Sequence, residues 1–147
     1  MEIEKLVLDA SVALKWFFPH EKNSNIARKI LKGIKKEKIE IFVPQIFFFE
    51  IVNAIKTKSE TTSKDVLRAI NKLFSLDFIT EKANLILLKK ANFYAQKYDL
   101  SIYDASYIAL AKINGLPFLT ADEKMAKKIG LKFIKTLKQI NPSLEDF

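Results

Sequence analysis

A single carboxylate, Glu50, interrupts the most apolar stretch of this chain. Between Ile46 and Ile55 every residue is apolar or small except Glu50 and Asn53. Burying an ionised Glu without a partner is costly and raises its pKa. Glu50 and Asn53 are three residues apart, so they share one face of a helix. The fold must therefore supply this face with a basic side chain, or with a cation shared with other carboxylates.

Composition limits the chemistry that such a face can use. The 147 residues, 49% of them apolar, are enough for a core of their own, and we expect one domain over residues 1–147. The chain has no Cys and one His, His20, which excludes thiolate sites and argues against His-based zinc sites and a Ser-His-Asp triad. With three Gly there is no Gly-rich phosphate loop. Metal chemistry would use carboxylate oxygen, which suits Mg²⁺ or Mn²⁺.

The net charge of +8 would attract polyanions such as nucleic acid. On charge alone, a Lys-rich solvated surface is the simpler explanation of this net charge.

The longest nearly apolar stretch, residues 41–49, is too short to span a bilayer. Glu2 and Glu4 are incompatible with the basic start of a signal peptide. We expect a cytoplasmic protein without a membrane segment.

Short apolar runs alternate with amphipathic segments along the whole chain. Strands are predicted at 5–8, 41–43, 78–79, 117–120 and 131–134. Helices are predicted at 10–16, 23–38, 45–58, 62–76, 83–98, 101–114 and 122–129. The tail from Asn141 is expected to be loosely ordered. This alternation predicts an α/β fold with a mostly parallel sheet.

Two acidic residues directly follow predicted strands. Asp9 follows the first strand and Asp122 follows the fourth. Sites of open parallel sheets form outside the carboxyl ends of the strands. Each of these residues could instead cap the helix that comes next. For Asp122, capping is the simpler interpretation. The hydroxyls of Ser11 and Thr120 could ligate a metal or hold a water, or they could be ordinary caps.

The other two acidic residues lie on helices that are otherwise nearly free of charge. Asp104 shares a helix face with Ile108 and follows Ser101 by three residues, so a capping box is the alternative. For Glu50 the alternative is an ion pair with a buried Lys or Arg. Four carboxylates brought together would raise one another's pKa. A divalent cation would resolve this conflict, and it is also a means of hydrolysing a phosphodiester.

Four short segments carry these acidic residues. They are Leu8-Asp9-Ala10-Ser11, Glu50-Ile51-Val52-Asn53, the stretch from Tyr103 to Ala111, and Leu119-Thr120-Ala121-Asp122. In their order and spacing, the chain resembles PIN-domain ribonucleases, and especially the VapC toxins of VapBC toxin–antitoxin pairs. The resemblance implies a three-layer α/β/α fold around a five-stranded parallel sheet.

The resemblance also implies a site and a set of partners. Asp9, Glu50, Asp104 and Asp122 would surround Mg²⁺ or Mn²⁺, with Asp9 and Asp104 as direct ligands and Glu50 and Asp122 ligating directly or through water. Ser11, Asn53 and Thr120 would support them. The expected activity is cleavage of RNA phosphodiesters by metal-activated water, in single-stranded or loop regions. The expected partners are a second copy of the chain and an antitoxin, for which Trp16, Phe17 and Phe18 are candidate contacts unless they pack in the core.

Three other functions fit parts of the pattern. The chain could be a PIN-fold RNA-processing nuclease outside any toxin–antitoxin pair. It could also be a PIN module that binds RNA or a partner without cutting. A phosphatase of the haloacid dehalogenase type would need a second Asp two residues after Asp9, where this chain has Ser11.

Overall fold

Five strands form one parallel sheet at the centre of the molecule. The computed structural model of the chain describes residues 4–144. The strands are β1 (Glu4–Leu8), β2 (Ile39–Pro44), β3 (Phe78–Glu81), β4 (Phe118–Thr120) and β5 (Ile134–Thr136). Their order in the sheet is β3-β2-β1-β4-β5, and every neighbouring pair is parallel.

Eight α-helices connect the strands and cover the sheet. They are α1 (Ala10–Ala13), α2 (Ser24–Lys35), α3 (Ile46–Thr57), α4 (Ser63–Phe74), α5 (Leu85–Tyr98), α6 (Ile102–Asn114), α7 (Glu123–Ile129) and α8 (Leu137–Ile140). Single 3₁₀ turns follow α1 and α8, at Leu14–Trp16 and Asn141–Leu144. The predicted three-layer α/β/α fold is confirmed. Within residues 4–144, no helix combines the length and apolar content needed to cross a membrane.

The middle of the sheet is buried on both faces. Leu6, Val7 and Leu8 are consecutive and all buried, although side chains along a strand alternate between its faces. A strand with two buried faces is typical of a parallel sheet covered by helices on each side. Helix α6 packs on β1, β2 and β4, and all its residues from 105 to 111 are buried. Because four of these seven residues are Ala or Ser, the helix can lie close to the strands.

The direction of the chain's path through the sheet reverses at β1. From β1 the chain proceeds to β2 and β3 on one side, and it later returns to place β4 and β5 on the other side. Strands β1 and β4 are neighbours, with Leu8 opposite Leu119. In an open α/β sheet, the crevice outside the carboxyl ends of two such strands is where ligands bind. The residues that follow β1 and β4 therefore open onto this crevice.

Two predictions near the end of the chain were wrong. Strand β5 lies at Ile134–Thr136 and not at 131–134, because Gly130 ends α7 with a φ of 68° and a turn follows. In that turn the Ile134 N–H donates to the Leu131 carbonyl at 3.1 Å. The expected loose tail is ordered through Leu144, which is 1% exposed; residues 145–147 lie outside the described part.

Replacing Leu144 by Ala tests this ordered tail. The substitution removes a buried side chain near the end of the chain, so the free energy of unfolding should fall by about 2 kcal/mol or more. Leu67→Ala is the matched control, because Leu67 is 56% exposed on α4 and should change stability by less than about 0.5 kcal/mol. Urea unfolding measures both. Equal effects of the two substitutions would show that the tail does not pack in solution.

Candidate active site

Asp9 extends the pairing of β1 with β4 by one residue and is partly buried at the crevice between them. Its N–H donates to the Leu119 carbonyl at 2.9 Å. Its Oδ2 accepts hydrogen bonds from Ser11 Oγ and Thr120 Oγ1, both at 2.8 Å. Although Asp9 stands at the N-cap position of α1, its side chain makes no capping hydrogen bond. The capping interpretation of Asp9 is therefore wrong.

The two hydroxyls that contact Asp9 are themselves fixed by backbone donors. Ser11 Oγ accepts from the Ala121 N–H at 3.0 Å, and Thr120 Oγ1 accepts from the Asp122 N–H at 3.1 Å. A hydroxyl has one hydrogen to donate. Because an ionised carboxylate can only accept hydrogen bonds, each hydroxyl directs its own hydrogen at Asp9. The loop after β4 thus orients the Asp9 carboxylate.

Glu50 lies on the second turn of α3 and is half-buried. Its Oε1 accepts a hydrogen bond from the Tyr107 hydroxyl of α6 at 2.6 Å. Within residues 4–144, the ion pairs join Lys15 to Glu21, Arg68 to Asp65, and Lys138 to Glu123. Glu50 has no such basic partner, so the buried ion pair considered for it is not formed.

Asp104 is exposed in the first turn of α6. Its N–H donates to Ser101 Oγ at 3.0 Å, which makes Ser101 the cap of the helix. In the described structure the reciprocal bond, from the Ser101 N–H to the Asp104 carboxylate, is not formed. The Asp104 carboxylate is therefore not used in a capping box.

The charges of these carboxylates act on one another. Burial is the largest cause that raises the pKa of Asp9, and repulsion from Asp104 raises it further against the lowering effect of the two hydroxyls. Burial also raises the pKa of Glu50, and Asp9 and Asp104 add to this effect while the Tyr107 hydrogen bond opposes it. Asp9, Glu50 and Asp104 therefore form one electrostatic group, which we call the carboxylate cluster.

Asp122 and Asn53 stand apart from the carboxylate cluster. Asp122 caps α7, where its Oδ1 accepts a hydrogen bond from the Met125 N–H at 3.0 Å. Its charge is not among those that shift the pKa of Asp9 or of Glu50. Its backbone N–H still contributes to the site through Thr120. Asn53 lies on an exposed cleft beside Phe49 and Phe74, and no hydrogen bond within residues 4–144 joins it to a carboxylate.

Tyr107 is the site residue to which the sequence analysis assigned no role. It is fully buried, and burial followed by the charges of Asp9 and Glu50 raises its pKa well above the ordinary value. It therefore remains a protonated donor. The available signal was its position, since it lies three residues after Asp104 on a helix of small and apolar residues. A buried phenol in such surroundings requires a hydrogen-bond partner.

The carboxylate cluster is open and is not a closed ring of ligands. Among residues 4–144, no three side chains of Asp, Glu, His or Cys are close enough to form a ready-made metal site. The three carboxylates are close enough to repel one another, and no Lys or Arg in this part of the chain neutralises them. The arrangement is therefore one of uncompensated negative charge.

Asp9→Asn should stabilise the protein at neutral pH. A raised folded-state pKa means that stability is greatest below the ordinary Asp value of 3.8 and falls as pH rises through the folded-state pKa. Asn carries no charge, and its carbonyl oxygen can accept hydrogen bonds from the Ser11 and Thr120 hydroxyls. The gain in the free energy of unfolding should be present at pH 7 and should shrink toward pH 4.

Asp77→Asn is the matched control for this measurement. Asp77 is exposed and directly precedes the edge strand β3, so it lies at the amino ends of the strands, whereas the cluster lies at their carboxyl ends. Urea unfolding of both variants between pH 4 and pH 8 makes the comparison. A wild-type protein that is more stable than Asp9→Asn at pH 7 would contradict the conclusion that the charge of Asp9 is uncompensated.

Known proteins resemble this chain in sequence or in fold. Ribonuclease VapC3 of Pyrobaculum aerophilum is 26% identical in an alignment of 130 residues that covers 84% of this chain and 94% of that protein. PAE2754 from the same organism superposes with a TM-score of 0.68 at 23% identity, over 99% of this chain and 97% of that one.

A sarcin-ricin loop cleaving toxin, VapC20 of Mycobacterium tuberculosis, superposes with a TM-score of 0.68 at 12% identity, over 88% of this chain and 98% of that one. At these identities the two superpositions show the fold alone. The model of the family described as PIN domain matches residues 6–131. Because this match extends from β1 to the turn before β5, the chain belongs to the PIN-domain family.

Proposed function

We propose that this protein is a divalent-metal-dependent endoribonuclease and the toxin of a type II toxin–antitoxin pair. The observation that carries the proposal is the carboxylate cluster: Asp9 at the β1–β4 crevice, near Glu50 and Asp104, without a basic partner. A relative named as a ribonuclease, aligned over most of both chains, supports the reaction class. A structural neighbour solved as a toxin–antitoxin complex, from Klebsiella pneumoniae, supports the toxin role.

The residues present suit Mg²⁺ or Mn²⁺. All the donors are oxygen atoms, which these cations prefer, and the repulsion within the cluster is what a cation would relieve. Asp9 and Asp104 would hold the ion directly, and Glu50 would hold it directly or through water. Asp122, whose Oδ1 caps α7, would reach the ion through water. The bound ion supplies activation of the attacking water and neutralisation of charge on the phosphate.

The chain's own side chains provide orientation and a proton acceptor. Ser11 and Thr120 keep the Asp9 carboxylate in one direction. Glu50 uses Oε1 for the Tyr107 hydrogen bond, so Oε2 is available to take the proton of the attacking water. The oxygen of that water bonds to phosphorus, the bond from phosphorus to the 3′-oxygen breaks, and the leaving oxygen takes a proton from solvent water. The products then carry 5′-phosphate and 3′-hydroxyl ends.

Cleavage of labelled RNA by the purified protein tests this reaction. Cleavage should require Mg²⁺ or Mn²⁺, stop with excess chelator, and fall by about 100-fold or more in Asp9→Asn and in Asp104→Asn. Asp77→Asn removes the same charge at the amino ends of the strands and should cleave like the wild type. Substrates should include single strands, hairpin loops and total RNA, because RNA enzymes of this kind recognise unpaired regions. Equal cleavage by Asp9→Asn and wild type would contradict the assignment.

The antitoxin is proposed to cover a cleft next to α1. Phe17 and Phe18 are half-buried and line a cleft of about 530 Å³ between the 3₁₀ turn and helices α3 and α4. Lys58 and Lys72 lie over the two rings, with Nζ 4.6 Å from the Phe18 centroid and 5.4 Å from the Phe17 centroid. Trp16 also lines this cleft but is mostly buried, and its Nε1 donates to the Ala27 carbonyl at 2.8 Å, so we expect it to contribute less contact area than Phe17 and Phe18.

A growth assay separates the toxin from a PIN-fold RNA-processing nuclease. The proposed toxin, acting in the cytoplasm, should arrest growth when expressed alone and lose this effect when the product of a neighbouring small gene is expressed with it. An RNA-processing enzyme would not require such a partner.

A homodimer is proposed to form through an apolar face on α3, α4, α5 and α6. Two adjoining clefts share Gln45 and Phe49, and their linings are almost entirely apolar. The face includes large side chains that are exposed in the single chain: Phe49, Phe74, Leu88, Ile102 and Tyr103. Exposed apolar surface of this kind is typical of a protein interface.

Phe49→Lys tests the dimer, because Phe49 lines both clefts and is 68% exposed. A charge at this position should shift the molar mass measured by light scattering after gel filtration from that of a dimer to that of a monomer. Ile113→Lys introduces the same charge at a 43% exposed residue near the other end of α6 and should leave the dimer intact. A monomeric wild type, or a dimeric Phe49→Lys, would rule out this interface.

A further inference from the structure

The buried hydroxyl of Tyr107 connects α6 to a carboxylate on α3. We propose that Tyr107 is a positioning residue that holds Glu50 in the orientation required for metal binding and RNA cleavage. This inference rests on the proposed function and adds a residue outside the acidic set. Tyr107 does not contact the substrate in this proposal and acts through Glu50.

The ring of Tyr107 is held rigidly. It is 0% exposed, and it stacks on Phe118 of β4 with a centroid separation of 5.7 Å and an interplanar angle of 21°. Residues of α6 on both sides of it in the sequence are also buried against the sheet. The hydroxyl is therefore presented from a fixed point of the core. The Glu50 side chain, which rotates about three bonds, is the partner that adjusts.

The hydrogen bond itself is short and involves a charge. The distance from the Tyr107 hydroxyl to Glu50 Oε1 is 2.6 Å. Hydrogen bonds from a hydroxyl to a carboxylate of this length are about twice as strong as neutral ones. Because Oε1 already accepts the phenol, Oε2 is the oxygen that keeps both lone pairs for a cation or a water. The bond thus favours Oε2 as the oxygen of Glu50 that serves the site.

Core packing alone does not require this hydroxyl. A Phe side chain at position 107 would fill nearly the same volume against the Phe118 ring. It would also avoid burying a polar group, which costs free energy unless that group is paired. Asp104 and Tyr107 are three residues apart on α6, so one helix face presents both a carboxylate and the donor for another carboxylate. The placement couples the position of Glu50 to that of Asp104.

Tyr107→Phe removes the hydroxyl and keeps the ring. Outer partners that orient metal-ligating side chains typically contribute 10–100-fold to metal affinity or activity. The Mn²⁺ dissociation constant, measured by calorimetric titration of the full chain, should rise by about 10-fold or more. The kcat for RNA cleavage should fall by about the same factor, while KM for RNA should change by less than about twofold.

Tyr94→Phe is the matched control. Tyr94 lies on α5, is 6% exposed and donates no hydrogen bond to a carboxylate in the described structure. Its variant should bind Mn²⁺ and cleave RNA like the wild type. Thermal unfolding of all variants separates lost stability from lost metal affinity, since a purely structural role of Tyr107 would lower the melting temperature without changing the Mn²⁺ dissociation constant.

A double-mutant cycle with Glu50→Gln completes the test. If Tyr107 acts through Glu50, Tyr107→Phe should cause no further loss of Mn²⁺ affinity in the Glu50→Gln background. Additive losses, or wild-type Mn²⁺ affinity in Tyr107→Phe, would overturn the inference and leave the proposed function standing. A wild-type protein that neither binds Mn²⁺ nor cleaves RNA would overturn the proposed function and the inference with it.

Discussion

The negative charge of Asp9, partly buried without a basic partner, is the constraint on which this site depends. Burial and the repulsion of Asp104 raise the pKa of Asp9, and only two hydroxyl hydrogen bonds and one from the Ala10 backbone oppose that effect. Hydrogen bonds from neutral hydroxyls orient a carboxylate but do not neutralise it. The folded protein therefore retains electrostatic strain at one point, and a bound cation would relieve it. Residues that maintain such strain are characteristic of functional sites.

The topology of the sheet explains why the strain lies at this point. Strands β1 and β4 are adjacent but far apart in sequence, so the loops after them bring Asp9 and Thr120 together. Helices α3 and α6 then place Glu50 and Asp104 beside the same crevice. Helix α6 has a double role. It closes the core over three strands, and it carries both Asp104 of the carboxylate cluster and Tyr107, which donates to Glu50.

The sequence predicted the order of strands and helices and an unusual environment for Glu50, which is half-buried, because apolar periodicity and an isolated charge are local signals. It could not distinguish a cap from a site residue, since Asp9 and Asp122 both follow strands and only Asp122 caps a helix. The partner of Glu50 was not predictable either, because Tyr107 is 57 residues away along the chain. Burial of Leu144 likewise depends on tertiary packing, which local composition does not encode.

Anomalous diffraction from crystals of the wild-type protein soaked in Mn²⁺ tests the account most directly. We expect an anomalous peak in the β1–β4 crevice, within ligand distance of Asp9 and Asp104, and no peak there in crystals of Asp9→Asn. A Lys or Arg side chain paired with Asp9 in the wild-type crystals, or a Mn²⁺ peak that persists in Asp9→Asn, would contradict it. Either result would mean that the charge of Asp9 is not what the cation is needed to balance.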